Sequence, residues 1–496
     1  MMASDEVIIQ LAELSIKTVT SAIKAIQEYK RQNTYFPTYY QYPERFLKGI
    51  EKTVDYNEMK EKIPAFRYGI PFFIMHGYNN PKNYGDLLSG NDGRFSINCH
   101  ALEGFDELLS VLQADEQARR RFTDNDDYVQ GVLVSFIGNI ANRYFYTKDD
   151  PDNEAIDEST IKELVFAQFN RLFLEKLNVH ICIPICFIEF ESEHIELSES
   201  ISICKMSDDF QISRYNASHF ESTPESNIAQ CASYMICLDN YSISNADKES
   251  IQNSTKNSWS YPTEVINDIF AAIRIAVGAK TGYGQLLIEP INWADKWTGN
   301  LLPLYGTNII AFNRNEVNTT FFGYEITVIK DSEIQLIRDI FTTIQSNRIK
   351  EKKDSINKAF IAIQRLNRCM LREADDDTAL DAIIGIEALL SGDTFGEITY
   401  TISNRMAIVA SKTKECPYTP AETRKAMKKI YGLRSDIVHG RDPQKNSTII
   451  FMNKEFSTKA LAVDFLRFSL LFIIRNPEFL DVKKFESTLD DKLIEN

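Results

Sequence analysis

Thr419-Pro420-Ala-Glu422-Thr-Arg424-Lys425-Ala-Met427-Lys428-Lys429-Ile430-Tyr431-Gly-Leu-Arg434-Ser435-Asp-Ile-Val438-His439-Gly440-Arg441 decides how the last third of the chain folds. Thr419 and Glu422 form a capping box, with Pro420 at the first helical position, so a helix starts there. Gly440 is a natural helix end, which puts His439 in the last turn or just past it. Met427, Ile430, Tyr431, Arg434 and Val438 share one stripe at about 100° per residue. Arg434 therefore stands in the middle of an apolar face. An arginine placed there needs a buried anionic partner or lines a crevice that takes an anion.

Neighbouring sequence repeats the helical pattern. Helices are predicted at about 331–347, 354–373, 376–391, 396–412, 420–438 and 456–475, and the β signal disappears from about 331. Short connections make neighbouring helices antiparallel, so residues 331–490 are expected to form an all-α bundle. Residues 36–330 read differently. Short β-rich runs recur at Ile70 to Met75, Gly131 to Ile137, Val179 to Phe190, Ile195 to Cys204, Phe210 to Tyr215, Ala232 to Leu238, Gln285 to Ile291 and Thr319 to Val328. Helices interrupt them near 158–177 and 263–277. Residues 1–35 carry one long amphipathic helix whose apolar face wants a partner, either the rest of the chain or a second copy. The predicted fold class is α+β, a mixed strand-rich N-terminal region followed by a helical bundle.

Two more helices of the bundle carry one charge on the apolar side. Glu387 is centred among Leu380, Ile383, Ile384 and Leu390, and Arg405 among Ile398, Ile402 and Val409. The simplest account is a buried ion pair between Glu387 and Arg405, which leaves Arg434 available for another task near His439. Arg434 and His439 lie about 140° apart on an ideal helix, so a loosened terminal turn would be needed to bring them together.

R-x4-H at the end of a bundle helix, followed by glycine, resembles the signature of HEPN ribonuclease domains (higher eukaryotes and prokaryotes nucleotide-binding). Asp381-Ala-Ile-Ile-Gly-Ile-Glu387-Ala-Leu-Leu, Arg405, and Tyr431-Gly-Leu-Arg434-Ser435-Asp-Ile-Val-His439-Gly440 resemble the Apea-like HEPN subgroup, over roughly residues 340 to 475. The resemblance implies a metal-independent endoribonuclease acting as a homodimer, with two R-x4-H motifs facing each other. It also implies bacterial antiphage defence by abortive infection, a cytoplasmic location, and an N-terminal region that senses a trigger such as a phage-derived protein. The alternative is a non-catalytic HEPN module for dimerisation or nucleotide binding, acting as a sensor or scaffold.

The chemistry is coherent without the resemblance. Cutting RNA without metal needs a group of near-neutral pKa to move the 2′-hydroxyl and leaving-group protons, and histidine is that group. It also needs a fixed cation for charge developing on phosphate, which Arg434 supplies. Ser435 would add a hydrogen bond, with Glu387 and Arg405 in support. Lys425, Lys428, Lys429 and Arg441, together with Arg424 and Lys445, form a basic collar that could hold an RNA backbone, or a solvated helix face. No cofactor or metal is expected.

Composition narrows the rest. A net charge of -15 argues against a broad nucleic-acid surface, so any RNA contact must be local. Cys99, Cys182, Cys186, Cys204, Cys231, Cys237, Cys369 and Cys416 form no C-x-x-C pair and read as buried free thiols. His76, His100, His180, His194 and His219 show no metal-ligand spacing. Gly278-Ala-Lys-Thr-Gly-Tyr-Gly284 lacks phosphate-loop spacing and reads as a helix-ending turn, and Asp375-Asp376-Asp377 reads as a helix start. No run is apolar and long enough to span a bilayer, so the chain reads as intracellular and soluble, with no membrane partner.

Overall fold

The computed structural model describes residues 4–38, 43–45, 74–76, 81–88, 97–147, 155–218, 229, 232–314, 326–349, 354–392, 398–442, 446–452, 454–481 and 483–494. Ile70 to Phe73, Thr319 to Glu325, His219, Cys231 and Lys445, all named above, lie outside the described residues.

The N-terminal unit is helical. α1 (Asp5–Gln32) is capped by Ser4, whose side chain accepts from the Val7 amide, and carries acids in its first turn and bases in its last. Leu11, Val19, Ala22, Ile23 and Ile26 are buried along one face. The partner of that face is within the chain: α2 (Phe105–Ala114), α4 (Val129–Tyr146) and α5 (Glu158–Phe173) pack against it. With α3 (Glu116–Phe122) they enclose one hydrophobic core, which also takes in Ala294 and Trp297 from a distant loop. A two-stranded antiparallel ribbon joins β1 (Pro43–Arg45) and β2 (Ile74–His76).

The expected strand at Gly131 to Ile137 is part of α4. Leu133, Phe136, Ile137, Ile140, Ala141 and Tyr144 are buried at i, i+3 and i+4 spacing, a helical period that a seven-residue window hides. Likewise the expected strand at Phe210 to Tyr215 is helical, within α6 (Asp208–Ser218). There Arg214 is buried, donating to Gln211 and to the Ala229 and Ala232 carbonyls.

A six-stranded antiparallel sheet forms the middle of the molecule, in the order β5 (His194–Ser198), β6 (Ile201–Lys205), β7 (Tyr234–Ser244), β3 (Lys176–Cys186), β8 (Gly282–Pro290) and β9 (Tyr305–Ala311). Alternation along β3 sends Val179, Ile181, Ile183 and Ile185 toward one core and Cys182 toward a smaller one with Phe210 and Leu287. Beside the sheet, β4 (Ile188–Phe190) pairs in parallel with β10 (Thr327–Ile329). α7 (Lys248–Lys256) follows β7, and α8 (Thr263–Val277) buries nearly every residue of its second half. Gly278 ends α8 in the left-handed region at φ 73, donating to the Arg274 carbonyl, so the segment opens as a helix-ending turn and its last residues, Gly282–Gly284, begin β8.

α9 (Asp331–Ile349), α10 (Asp354–Cys369), α11 (Asp375–Leu390), α12 (Ile398–Lys412), α13 (Pro420–Val438), α14 (Thr458–Arg475) and α15 (Lys483–Ile494) form the C-terminal bundle. It is not purely helical. β11 (Thr448–Phe451) and β12 (Lys454–Ser457) make a hairpin between α13 and α14, with Ile449 and Phe451 turned inward and Ile450 outward. Four-residue strands after a turn are too short to stand out from a helical background. The bundle shares one continuous hydrophobic core with the inner face of the sheet. Arg467 of α14 ties the two layers together by donating to the carbonyls of Ile275 and Ala276 at the end of α8.

Candidate functional site

α13 begins as its sequence dictates: the Thr419 side chain accepts from the Glu422 amide, and Pro420 opens the helix. Its end is a Schellman closure. The Gly440 amide donates to the Ile437 carbonyl and the Arg441 amide to the Asp436 carbonyl, with Gly440 at φ 63. The His439 amide still donates to the Ser435 carbonyl at 3.0 Å, so the last turn is intact. The terminal turn is therefore not loosened, and about 140° of helix rotation separates Arg434 from His439. Asn446 donates to the Asp436 carboxylate at 2.6 Å, pinning the start of the β hairpin to this helix end.

The expected Glu387–Arg405 pair does not form. Glu387 of α11 faces α13, where its Oε1 lies 3.4 Å from Arg434 Nε and accepts from the Tyr431 hydroxyl at 2.6 Å. Tyr431 and Arg434 are three residues apart and reach the same carboxylate because i and i+3 share a helix face. Burial, then the hydrogen bond and negative charge of Glu387, push the Tyr431 hydroxyl well above its ordinary pKa, while Arg434 pulls the other way. Tyr431 thus stays a donor and holds the carboxylate oriented toward Arg434.

Arg405 has other partners. It donates to the carbonyls of Leu390 at 2.7 Å and Ser391 at 2.9 Å, and its Nη2 lies 3.3 Å from Glu486 of α15. It closes the C-terminus of α11, where unpaired carbonyls need donors. Burial lowers its pKa, and Glu486 opposes that shift. Glu486, a residue of α15, gave no signal in the sequence, because its role depends on a contact 81 positions away.

His439 is exposed at the helix end, beside exposed Val438 and Arg441. Lys425 and Lys428 are exposed and Lys429 half-buried. On an ideal helix these three lysines and His439 fall within an arc of about 100°, while Arg434 emerges on another side. Arg424 lies 5.4 Å from the Tyr400 ring, a cation–π contact, so it belongs less to the solvent than its neighbours. Ser435 is half-buried and uses its carbonyl in the helix.

Asp375 pairs with Lys459 at the start of α11, and among the described residues no group of three or more His, Cys, Asp or Glu could hold a metal ion. His180 and His100 each face an aspartate at 2.6 Å, Asp239 and Asp106 respectively. The described cysteines are free thiols; Cys204 and Cys237 are half-buried, with sulfurs 3.0 Å apart. Among the described residues no helix is long and apolar enough to cross a membrane. No family model, curated protein or solved structure matches the chain.

Proposed function

We propose that the C-terminal bundle is a metal-independent endoribonuclease whose working groups are Arg434 and His439. The observation that carries the reading is the end of α13. A hydrogen-bonded helix terminus there presents an exposed imidazole, and a guanidinium 38% exposed lies beside a carboxylate that a tyrosine also engages. A cation set beside a carboxylate but open to solvent suits a developing phosphate charge. An imidazole open to solvent is placed to take a proton from, or give one to, a bound substrate. Glu387 and Tyr431 act on RNA only through the position they give Arg434, and Arg405 is a structural element of the bundle. Lys425, Lys428, Lys429 and Arg441 would lead the RNA backbone to the imidazole, a local basic strip on an acidic protein.

One chain turns Arg434 and His439 to different sides of the helix, so the reading includes a homodimer. A two-fold interface at this helix end would set the arginine of one chain near the histidine of its partner. The wider role we propose is a cytoplasmic antiphage effector that stops growth by cutting RNA after the N-terminal region meets a phage-derived trigger. A second reading has its own observation: Glu387 already partners Arg434 at 3.4 Å, as a purely structural ion pair in a non-catalytic dimerisation or nucleotide-binding module would.

Purified full-length chain incubated with RNA in EDTA separates the two. The nuclease reading expects cleavage that persists under chelation and falls when excess His439→Ala chains are mixed in. RNA left intact by the wild-type chain, with or without the candidate trigger, favours the non-catalytic module.

A further inference from the structure

Three thiols line up across neighbouring strands of the central sheet. Cys182 of β3 stands opposite Cys237 of β7. On the next strand Ser202 of β6 pairs with Cys237 and Cys204 with Met235, so Cys204 shares the face of Cys237, one diagonal step away. The sulfurs of Cys204 and Cys237 are 3.0 Å apart. Cys237 also hydrogen-bonds Cys182.

Exposure separates the three. Cys182 is fully buried, at 0%. Cys204 and Cys237 are half-buried, packed at the margin of the small core that holds Cys182, Met206, Phe210 and Met235. Cys99, Cys186 and Cys369 are buried elsewhere. A small oxidant therefore reaches the Cys204–Cys237 pair more readily than it reaches those thiols. A disulfide sets its sulfurs about 2.05 Å apart, so this pair lies about 1 Å from bonding, an approach that small rotations about the two Cα–Cβ bonds can supply.

The surroundings set the pace. The hydrogen bond with Cys237, and then burial, push the Cys204 thiol far above the ordinary thiol range. Cys237 is pushed up as well, first by its hydrogen bond with Cys182. Little thiolate is present near neutral pH, so oxidation is slow. The same property makes each sulfur a poor leaving group, so a bond once formed resists attack by other thiols.

We infer that Cys204 and Cys237 are a site of oxidative modification, joined by hydrogen peroxide into a disulfide that staples β6 to β7. One sulfur attacks a peroxide oxygen, the O–O bond breaks, and the thiol proton leaves on water, giving a sulfenic acid. The second sulfur attacks the sulfenic sulfur, the S–O bond breaks, and a second water carries away the remaining proton. Two thiols and one hydrogen peroxide thus give one disulfide and two waters, the sulfurs losing the two electrons that reduce the peroxide. The bond spans 33 positions of chain and ties α6, which lies between the two cysteines, to the sheet. The inference does not depend on the ribonuclease reading, because neither cysteine belongs to the bundle.

The test is peroxide treatment of the reduced full chain, then alkylation in denaturant and peptide mapping without reductant. Free thiols should fall by two from the eight of the sequence, a linked peptide should join Cys204 to Cys237, and dithiothreitol should restore both thiols. Because the bond restrains the unfolded chain, the linked protein should melt higher than the reduced one. Cys204→Ala should lose both the linked peptide and the peroxide-dependent rise; if circular dichroism shows that variant to be unfolded, the wild-type map decides alone. Cys204 and Cys237 both alkylated after peroxide, both ending as sulfinic acids, or Cys237 linked to Cys182 instead overturns the proposal. A linked protein that melts no higher than the reduced chain overturns it too, because the bond would then staple nothing.

Discussion

Arg405 and Arg434 look alike in the sequence, each a lone cation on the apolar stripe of a bundle helix, and the fold treats them as opposites. Arg405 is 2% exposed and spends its guanidinium on two main-chain carbonyls and a glutamate. Arg434 is 38% exposed and faces a carboxylate that a tyrosine also engages. The first arrangement consumes the charge in closing a neighbouring helix. The second sets the charge beside a carboxylate and leaves much of it to solvent. A cation on an apolar stripe therefore says only that a partner is required; how far the fold covers the guanidinium decides how much of its charge stays open to solvent.

The comparison breaks most visibly in activity. His439→Ala and Arg434→Ala should each lower RNA cleavage by about 10²–10⁴-fold, the usual share of a positioned proton-transfer group or charge stabiliser. Their melting temperatures should stay near wild type, since His439 is exposed and Arg434 partly so. Gel-resolved cleavage with a thermal melt of each variant measures both; full cleavage by His439→Ala would remove the mechanism.

Arg405→Met should show the reverse profile. It strands the Leu390 and Ser391 carbonyls at the end of α11 and should cost about 1–3 kcal/mol for each acceptor left without a donor. Chemical denaturation is the measurement, and a loss below about 1 kcal/mol would mean that water reaches those carbonyls unaided. Gly440→Ala is milder. At φ 63 an L side chain is strained by about 1–2 kcal/mol, although nothing stands within 4 Å of the added Cβ. Because the Schellman closure positions His439, cleavage in Gly440→Ala should fall further than its melting temperature suggests.

The start and end of α13 were legible in Thr419, Pro420, Glu422 and Gly440, because caps are local chemistry. The bundle helices were legible for the same reason: each carries a long 3.6-residue period. What failed was short or non-local. Gly131 to Ile137 and Phe210 to Tyr215 are windows too brief to show their helical period, and β11 and β12 are too brief to show a strand period. The partner of Arg405 was missed because Glu486 lies on the terminal helix, and no spacing rule connects residues 81 apart. The sequence marked Glu387, Arg405 and Arg434 as three charges needing company, but pairing among three cannot be solved from helix wheels. Only the angles between helices show that α11 turns Glu387 toward α13. Tyr431, which settles the matter with its hydroxyl, was read as one more apolar position.

The smallest expected effect tests that pairing directly. Glu387 and Arg434 approach at 3.4 Å, with side chains 22% and 38% exposed, so solvent screens much of their attraction. Double-mutant cycles on partly exposed pairs give about 0.2–1 kcal/mol, and the Glu387→Gln, Arg434→Gln cycle should fall in that range. Gln at 387 keeps an acceptor for Tyr431, so the cycle isolates charge from the hydrogen bond. A Glu387→Gln, Arg405→Gln cycle should be additive within about 0.3–0.5 kcal/mol, as for residues that share no partner. Salt sharpens the contrast: rising ionic strength should shrink the Glu387–Arg434 coupling, because exposed charges are screened and buried ones far less. Coupling of several kcal/mol between Glu387 and Arg405 would reverse the assignment and return Arg434 to solvent alone. Coupling of that size between Glu387 and Arg434 would instead make their pair a buried structural bridge, and the guanidinium would then be held too tightly to take a phosphate.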